Sequence, residues 1–255
     1  PSNRDRRFLR TVARDAAAGA PDAAATASSF GRGRAHRDGE IAAVLAAAVA
    51  VYPEGWAALD GARLSAAPPD IGRRALAQTL MCVSGNPYPP RGERLERIYD
   101  AIAGGALGAG RTLAGCRILE RRDVVLIARE TAAIGPDIHI AGPGRYLWDH
   151  RFVLDVAAAE TTAGLILRGL GSSGWSAVAA KDKSLRALPI PPVVRTTLPA
   201  IYDLEGVRQV PHLMYRRQGA DPDSVRVVSA GFRPRHVLAG AGFAVSPRLR
   251  GQIGR

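Results

Sequence analysis

The sequence predicts an α+β protein, a helical N-terminal half followed by a mostly β C-terminal half. Three observations carry that expectation. Up to residue 103 the apolar positions recur at helical spacing, as in Ile71, Ala75, Leu76, Leu80 and Val83. Gly104, Gly105, Gly108 and Gly110 then break any helix that would join the two halves. Beyond them come short β-branched and apolar runs such as Val124-Val125-Leu126-Ile127, bounded by turn residues.

The first helix expected is Pro1–Asp15. Ser2 or Asn3 caps it, Asp5 sits in its first turn, and Phe8 and Val12 give it an apolar side. Arg10 and Arg14 are four apart and share a face. That face is either solvated or a two-arginine clamp for a phosphate or carboxylate. Ala23–Tyr52 is alanine-rich and expected to be helical, with an interruption near Phe30-Gly31-Arg32-Gly33. Arg32, Arg34, His36 and Arg37 at that interruption read as a polar loop or an RNA contact. Gly55–Asp60 is expected to be extended. A helix starts at Pro68-Pro69-Asp70 and runs to about Val83. After the rigid Pro87-Tyr88-Pro89-Pro90 turn, Arg91–Ala103 forms the next helix. Leu95, Ile98, Tyr99 and Ile102 line its buried side, and Arg91, Arg94 and Arg97 lie off it. A helix with one basic face beside a turn is a candidate contact for an RNA backbone.

Cys116–Leu119 and Val124–Ile127 are expected to pair as strands around Glu120–Asp123. Thr131–Leu147 reads as a loop. Strands are expected from Phe152 to Val156 and over Gly164–Arg168, a short helix over Ser176–Lys183, and a proline turn over Leu188–Pro192. Thr197–Tyr202 and Val207–Val210 look like a strand pair. The last ten residues are expected to fray. The divisions expected are 1–20, the trailing end of another domain; 21–108, a helical domain; and 109–255, a β-rich domain.

The 255 residues carry a formal charge of +12, and the pI is about 10.8. Such a balance favours a polyanion, with nucleic acid first. Lys181 and Lys183 are the only lysines, so the charge is arginine, which forks onto phosphate and stacks on bases. A genome-wide arginine bias would give the same composition. Cys82 and Cys116 are too few and too far apart for a disulfide framework or a Cys-x-x-Cys zinc site. The histidines supply no i, i+4 pair, and neither Asp137-x-His139 nor Asp149-His150 has a third ligand, so no metal is expected. The longest apolar run, Ile41–Tyr52, is too short to span a bilayer, and a cytoplasmic chain without a membrane partner is expected.

Gly169-Leu170-Gly171-Ser172-Ser173-Gly174 matches the dinucleotide-binding pattern G-x-G-x-x-G. The chain then runs into Pro189, Pro191 and Pro192 instead of completing a βαβ unit, so a loop is expected there. The sequence contains no Gly-Lys-Ser/Thr and no Gly-x-Ser-x-Gly.

Two stretches carry a family resemblance. The first joins Tyr88–Arg91, Thr112–Ile118 and the strand ending in Arg129-Glu130. The second is Pro1, Ser2, Asn3, Asp5, Phe8, Arg10 and Arg14, in fixed spacing over fourteen residues, with Thr11 and Ala13 departing from the pattern. Together they resemble bacterial tRNA(Ile)-lysidine synthetases, with weaker likeness around Trp148–Phe152 and Leu198–Tyr215. The resemblance implies an ATP-dependent ligase that uses ATP with Mg to join free lysine to C2 of the wobble cytidine of tRNA(Ile). It implies that this chain is the C-terminal, tRNA-gripping portion, with the ATP-pyrophosphatase domain before Pro1. The family's Ser-Gly-Gly-x-Asp-Ser loop for ATP is missing from the sequence, so the chain is expected to bind no ATP and make no lysidine alone. Asn3, Asp5, Arg10 and Arg14 are the residues expected at lysine or tRNA, and Arg91, Arg94 and Arg97 at RNA. A homodimer is left open, and so is a stand-alone RNA-binding module without catalysis.

Overall fold

A computed structural model describes residues 23–157, 164–219 and 226–238. Residues 43–240 make up one compact unit of the chain. The expected helix over residues 1–15 lies outside the described residues, as do the last ten.

Helix α1, Ala23–Ala48, runs without the interruption expected at Gly31 and Gly33. The space beside Gly33 and Gly39 is open, so each glycine costs only about 1 kcal/mol of helix propensity against a background of alanine. The helix stops earlier than expected, because residues 49–52 are taken into a sheet. Its last carbonyls are satisfied from outside. Asp60 N–H donates to the Ala48 carbonyl at 2.8 Å, and Arg63 Nη1 to that of Ala47 at 2.8 Å.

Strands β1 (Val49–Tyr52) and β2 (Trp56–Leu59) form a hairpin closed by Gly55 at φ +80°. A Cβ at Gly55 would sit 2.7 Å from the Phe152 ring, so the turn needs glycine twice over. Three helices follow: α2 (Gly61–Ser65), α3 (Pro69–Ser84) and α4 (Gly92–Ala103). Asp60 caps α2. Pro69 begins α3, and Gly85 ends it in the left-handed conformation, φ +71°.

Strands β3 (Arg111–Leu113), β4 (Cys116–Arg121) and β5 (Val124–Arg129) complete an antiparallel sheet in the order β1-β2-β5-β4-β3. The sheet takes strands from both sides of residue 108. Its side chains alternate. Ala57, Ile118 and Ile127 share a register and face α3, whereas Trp56, Leu126 and Ala128 face the second core.

The segment from 131 to 147 is only partly loop. It contains β6 (Ile138–His139) and most of β7 (Gly144–Trp148), which pairs with β8 (Phe152–Ala157). Its glycines and prolines break the segment into strands too short to read. β8 alternates buried and half-buried residues, with Phe152, Leu154 and Val156 inside, and β13 (Arg226–Phe232) pairs on its other edge. A further sheet runs β12 (Tyr215–Arg216), β11 (Gly206–Val210), β10 (Pro199–Asp203), β9 (Ile166–Gly169), β6. Ala200 of this sheet joins the core under the first sheet, and Leu167 and Ile201 join the core of Trp148 and Phe152.

The glycine motif is not a loop. Gly171–Lys181 forms helix α5, directly after β9. The dinucleotide reading still fails, because β10 returns antiparallel to β9 where a βαβ unit needs a parallel strand. A Cβ at Gly174 would collide with the Tyr202 hydroxyl, so that glycine serves helix–sheet packing. A short helix α6, Pro192–Arg195, leads into β10. No described helix is long and apolar enough to cross a membrane.

Candidate nucleic-acid interface

Helix α4 turns Ile98, Tyr99 and Ile102 inward and leaves Arg91, Arg94 and Arg97 exposed. Spacing of three keeps them close to one stripe of the helix. Glu96, between them in sequence, faces the other way and pairs with Arg73 of α3 at 3.3 Å. The arginines of α4 look onto β3. One cleft, about 450 Å³, is lined by Arg94, Arg97, Ile98, Arg111, Thr112 and Leu113. A second, about 550 Å³, runs from Pro90 and Arg91 past Glu93 and Arg94 to Leu113 and Ala114. Arg94 and Leu113 belong to both, so Arg91, Arg94, Arg97 and Arg111 edge one continuous surface. Among the described residues, Glu93 is the only carboxylate lining it.

The turn before α4 is fixed to the same surface. Asn86 Nδ2 donates to the Ala114 carbonyl at 2.7 Å, tying the proline turn to the β3–β4 turn. In that turn Tyr88 is 78% exposed.

Behind this surface lies a buried ion cluster. The Arg129 guanidinium grips Asp149 with two bonds, Nε to Oδ2 at 3.0 Å and Nη2 to Oδ1 at 2.8 Å. Arg151 Nε donates to Oδ2 of the same carboxylate at 2.7 Å, and Gly135 N–H donates to Oδ1 at 2.8 Å. Arg129 also donates to the carbonyls of Gly115 and Ala133. All three side chains are buried, and Arg151 completely so. Burial alone would raise the Asp149 carboxyl, but the Arg129 hydrogen bond and the charges of Arg151 and Arg129 outweigh it and hold the carboxyl below its ordinary range. Burial pushes the Arg151 guanidinium down to about 10, against the pull of Asp149, so it stays charged at neutral pH.

Asp149 and His150 form the β7–β8 turn with φ of +51° and +55°. Two non-glycine residues hold left-handed backbone there because the carboxylate of one is fixed from three sides. The cluster therefore joins the end of β5, the 133–135 segment and the β7–β8 turn. It is sealed from solvent and has no room for a substrate, so its work is architectural.

The sequence-predicted residues divide accordingly. Arg91, Arg94 and Arg97 come together at one surface. Asn3, Asp5, Arg10 and Arg14 lie outside the described residues. Arg111 was missed; its signal was its place in the strand that abuts a basic helix. Asp149 and Arg151 were missed as partners of Arg129, since twenty residues separate Arg129 from Asp149 and no periodicity links them. Burial raises the Cys82 thiol to about 11 and that of Cys116 to about 12, so neither offers a thiolate nucleophile. Among the described residues no group of three or more His, Cys, Asp or Glu is placed to hold a metal.

At the Gly171 end of α5, Gly171 N–H donates to the Thr196 carbonyl and Leu170 N–H to that of Leu198, which ties the start of the helix to the strand-entry segment before β10.

No family model matches the chain. It is similar to the tRNA(Ile)-lysidine synthase of Caulobacter vibrioides, 35% identical over 159 residues, which is 60% of this chain and 37% of that protein. The corresponding enzyme of Hyphomonas neptunium is 35% identical over 82 residues, 32% of this chain and 22% of that one. That of Anaplasma marginale is 27% identical over 178 residues, 64% and 38% respectively. The chain thus spans less than two fifths of each of these relatives.

Proposed function

We propose that this chain, a sequence relative of the tRNA(Ile)-lysidine synthases, is the tRNA-gripping portion of such a ligase, acting in the cytoplasm. The surface of Arg91, Arg94, Arg97 and Arg111 carries the reading. It offers four guanidinium groups on residues fixed by α4 and β3. Those residues lie in and around Tyr88–Arg91 and Thr112–Ile118, the stretches that carry the family resemblance. Phosphate contacts of this kind give affinity and orientation, and leave chemistry to another site.

In the complete ligase, ATP with Mg would activate C2 of the wobble cytidine and free lysine would displace AMP. ATP would be held by residues this sequence does not contain. Arg10 and Arg14, with Asn3 and Asp5, would meet the lysine carboxylate or a tRNA phosphate, as two cations four residues apart can. The chain alone would bind tRNA(Ile) without turnover.

The test is a titration of a tRNA(Ile) transcript with the chain, followed by addition of a separately made ATP-pyrophosphatase domain. The expected result is salt-dependent binding, then AMP release that requires both lysine and tRNA. Binding without restored turnover would leave the stand-alone RNA-binding module as the better reading. Absence of tRNA binding would end both.

A further inference from the structure

A third cleft, about 650 Å³, lies away from α4. Its floor is an aromatic pair from the β1–β2 hairpin. Tyr52 and Trp56 are register partners, and their rings stack 3.8 Å apart and within 3° of parallel. Trp56 is buried as part of the core beneath the sheet, whereas Tyr52 remains 38% exposed. One ring thus acts as backing and the other as a platform open to the cleft. The walls are basic and come from two separate segments. Arg121 ends β4 and Arg122 begins the β4–β5 turn, and Arg186 stands on the segment before the proline turn. All three side chains are exposed and make no hydrogen bond or ion pair among the described residues. Arg195 completes the set but is committed elsewhere: its guanidinium donates to the carbonyls of Arg186, Leu188 and Ile190 and lies 4.7 Å above the Trp175 ring. Four arginines thus line the cleft against one carboxylate, Asp123.

We propose that this cleft binds an unpaired nucleotide of an RNA strand, the base stacked on Tyr52 and the flanking phosphates met by Arg121, Arg122 and Arg186. An aromatic face stacks on any base, and guanidinium groups on both sides suit a backbone that passes through. A duplex cannot use the platform, since its bases are already stacked on one another. The inference rests on the RNA-binding reading above but assigns a different site and a different part of the RNA: the phosphate backbone at α4, an unpaired nucleotide here.

The test uses the full chain and two probes, a fluorescent six-nucleotide oligoadenylate and a blunt RNA duplex, with polyglutamate as the control polyanion. Tyr52→Ala and Arg121→Glu/Arg186→Glu are compared with Tyr52→Phe, which keeps the ring. The expected result is a loss of about tenfold or more in oligoadenylate affinity for the first two variants, retention in Tyr52→Phe, and little change in duplex affinity. The two arginine substitutions are exposed and guard against a folding artefact in Tyr52→Ala. Equal oligoadenylate affinity in wild type and Tyr52→Ala overturns the proposal. So does polyglutamate that competes as well as oligoadenylate, which would make the cleft a site for acidic peptide. Failure of the duplex to bind, with oligoadenylate still dependent on Tyr52, would sink the α4 reading and leave this one standing.

Discussion

The exposed arginines of α4 and the buried arginines around Asp149 are the same residue type put to opposite uses. Arg94 and Arg97 stand in solvent beside clefts and make no ion pair among the described residues, so their charge is available to a ligand. Arg129 and Arg151 are sealed, share one carboxylate and donate to backbone carbonyls, so their charge is consumed by the fold. Net charge cannot tell these apart. The difference is whether the sequence puts an aspartate and a set of carbonyls within reach.

The buried cluster depends most on Asp149. Asparagine there keeps the left-handed backbone but removes the charge that both guanidinium groups face. Breaking a buried pair while leaving its partner in place costs about 3–5 kcal/mol. Asp149→Asn is expected to fall by that amount in urea unfolding, with no direct effect on the α4 clefts. A loss under about 1 kcal/mol would mean the cluster is not a closed, dry ion network.

The glycine beside the cluster comes next. Gly115 has φ +73°, and a Cβ there would lie 2.5 Å from Arg129 Nη1. Gly115→Ala is expected to cost about 1–3 kcal/mol, through a strained backbone and a displaced guanidinium. Wild-type stability in Gly115→Ala would show that the turn relaxes without moving Arg129.

Acid sharpens the same contrast. The folded protein keeps Asp149 ionised to a lower pH than the unfolded chain does. Between those two values the unfolded chain binds more protons, so stability rises with pH. The contribution is fully present above the unfolded value of about 3.9 and is lost as the pH falls through the folded one. The gap in melting temperature between wild type and Asp149→Asn should therefore narrow as the pH is lowered below about 4. A gap that stays constant would mean that the carboxylate is not held by its arginines.

The halves of this contrast were unequally legible in the sequence. The basic face of α4 could be read because helical spacing alone separates Ile98, Tyr99 and Ile102 from Arg94 and Arg97. The α+β order could be read because the glycines at 104–110 sit where the N-terminal run of helices ends and most of the strands begin. The strand Val49–Tyr52 escaped, since an alanine- and valine-rich run suits a helix as well as an edge strand, and pairing with β2, itself held by β5, decides it. β6 and β7 escaped because strands of two and five residues among glycines and prolines leave no period to read. The Arg129–Asp149–Arg151 cluster escaped as a cluster, since it exists only once the β7–β8 turn folds back under β5. Its members nevertheless lie in the stretches that resemble the lysidine synthetases, Arg129-Glu130 and Trp148–Phe152. That resemblance tracks the architecture at least as closely as it tracks the arginine surface of α4.

The smallest expected effect on stability is also the most informative about function. Arg94→Ala/Arg97→Ala removes two exposed side chains that pack against nothing essential, so stability should change by no more than about 0.5 kcal/mol per site. Binding should respond differently. Removing one guanidinium that meets a phosphate lowers the slope of log affinity against log salt by about 1, and weakens all RNA sequences alike. The double variant is thus expected to show a salt slope shallower by about 2 and an unchanged preference among duplex RNAs. An unchanged slope would place the polyanion elsewhere on the molecule. A slope change together with a drop in unfolding free energy would mean that these arginines, like Arg129 and Arg151, belong to the fold and not to the ligand.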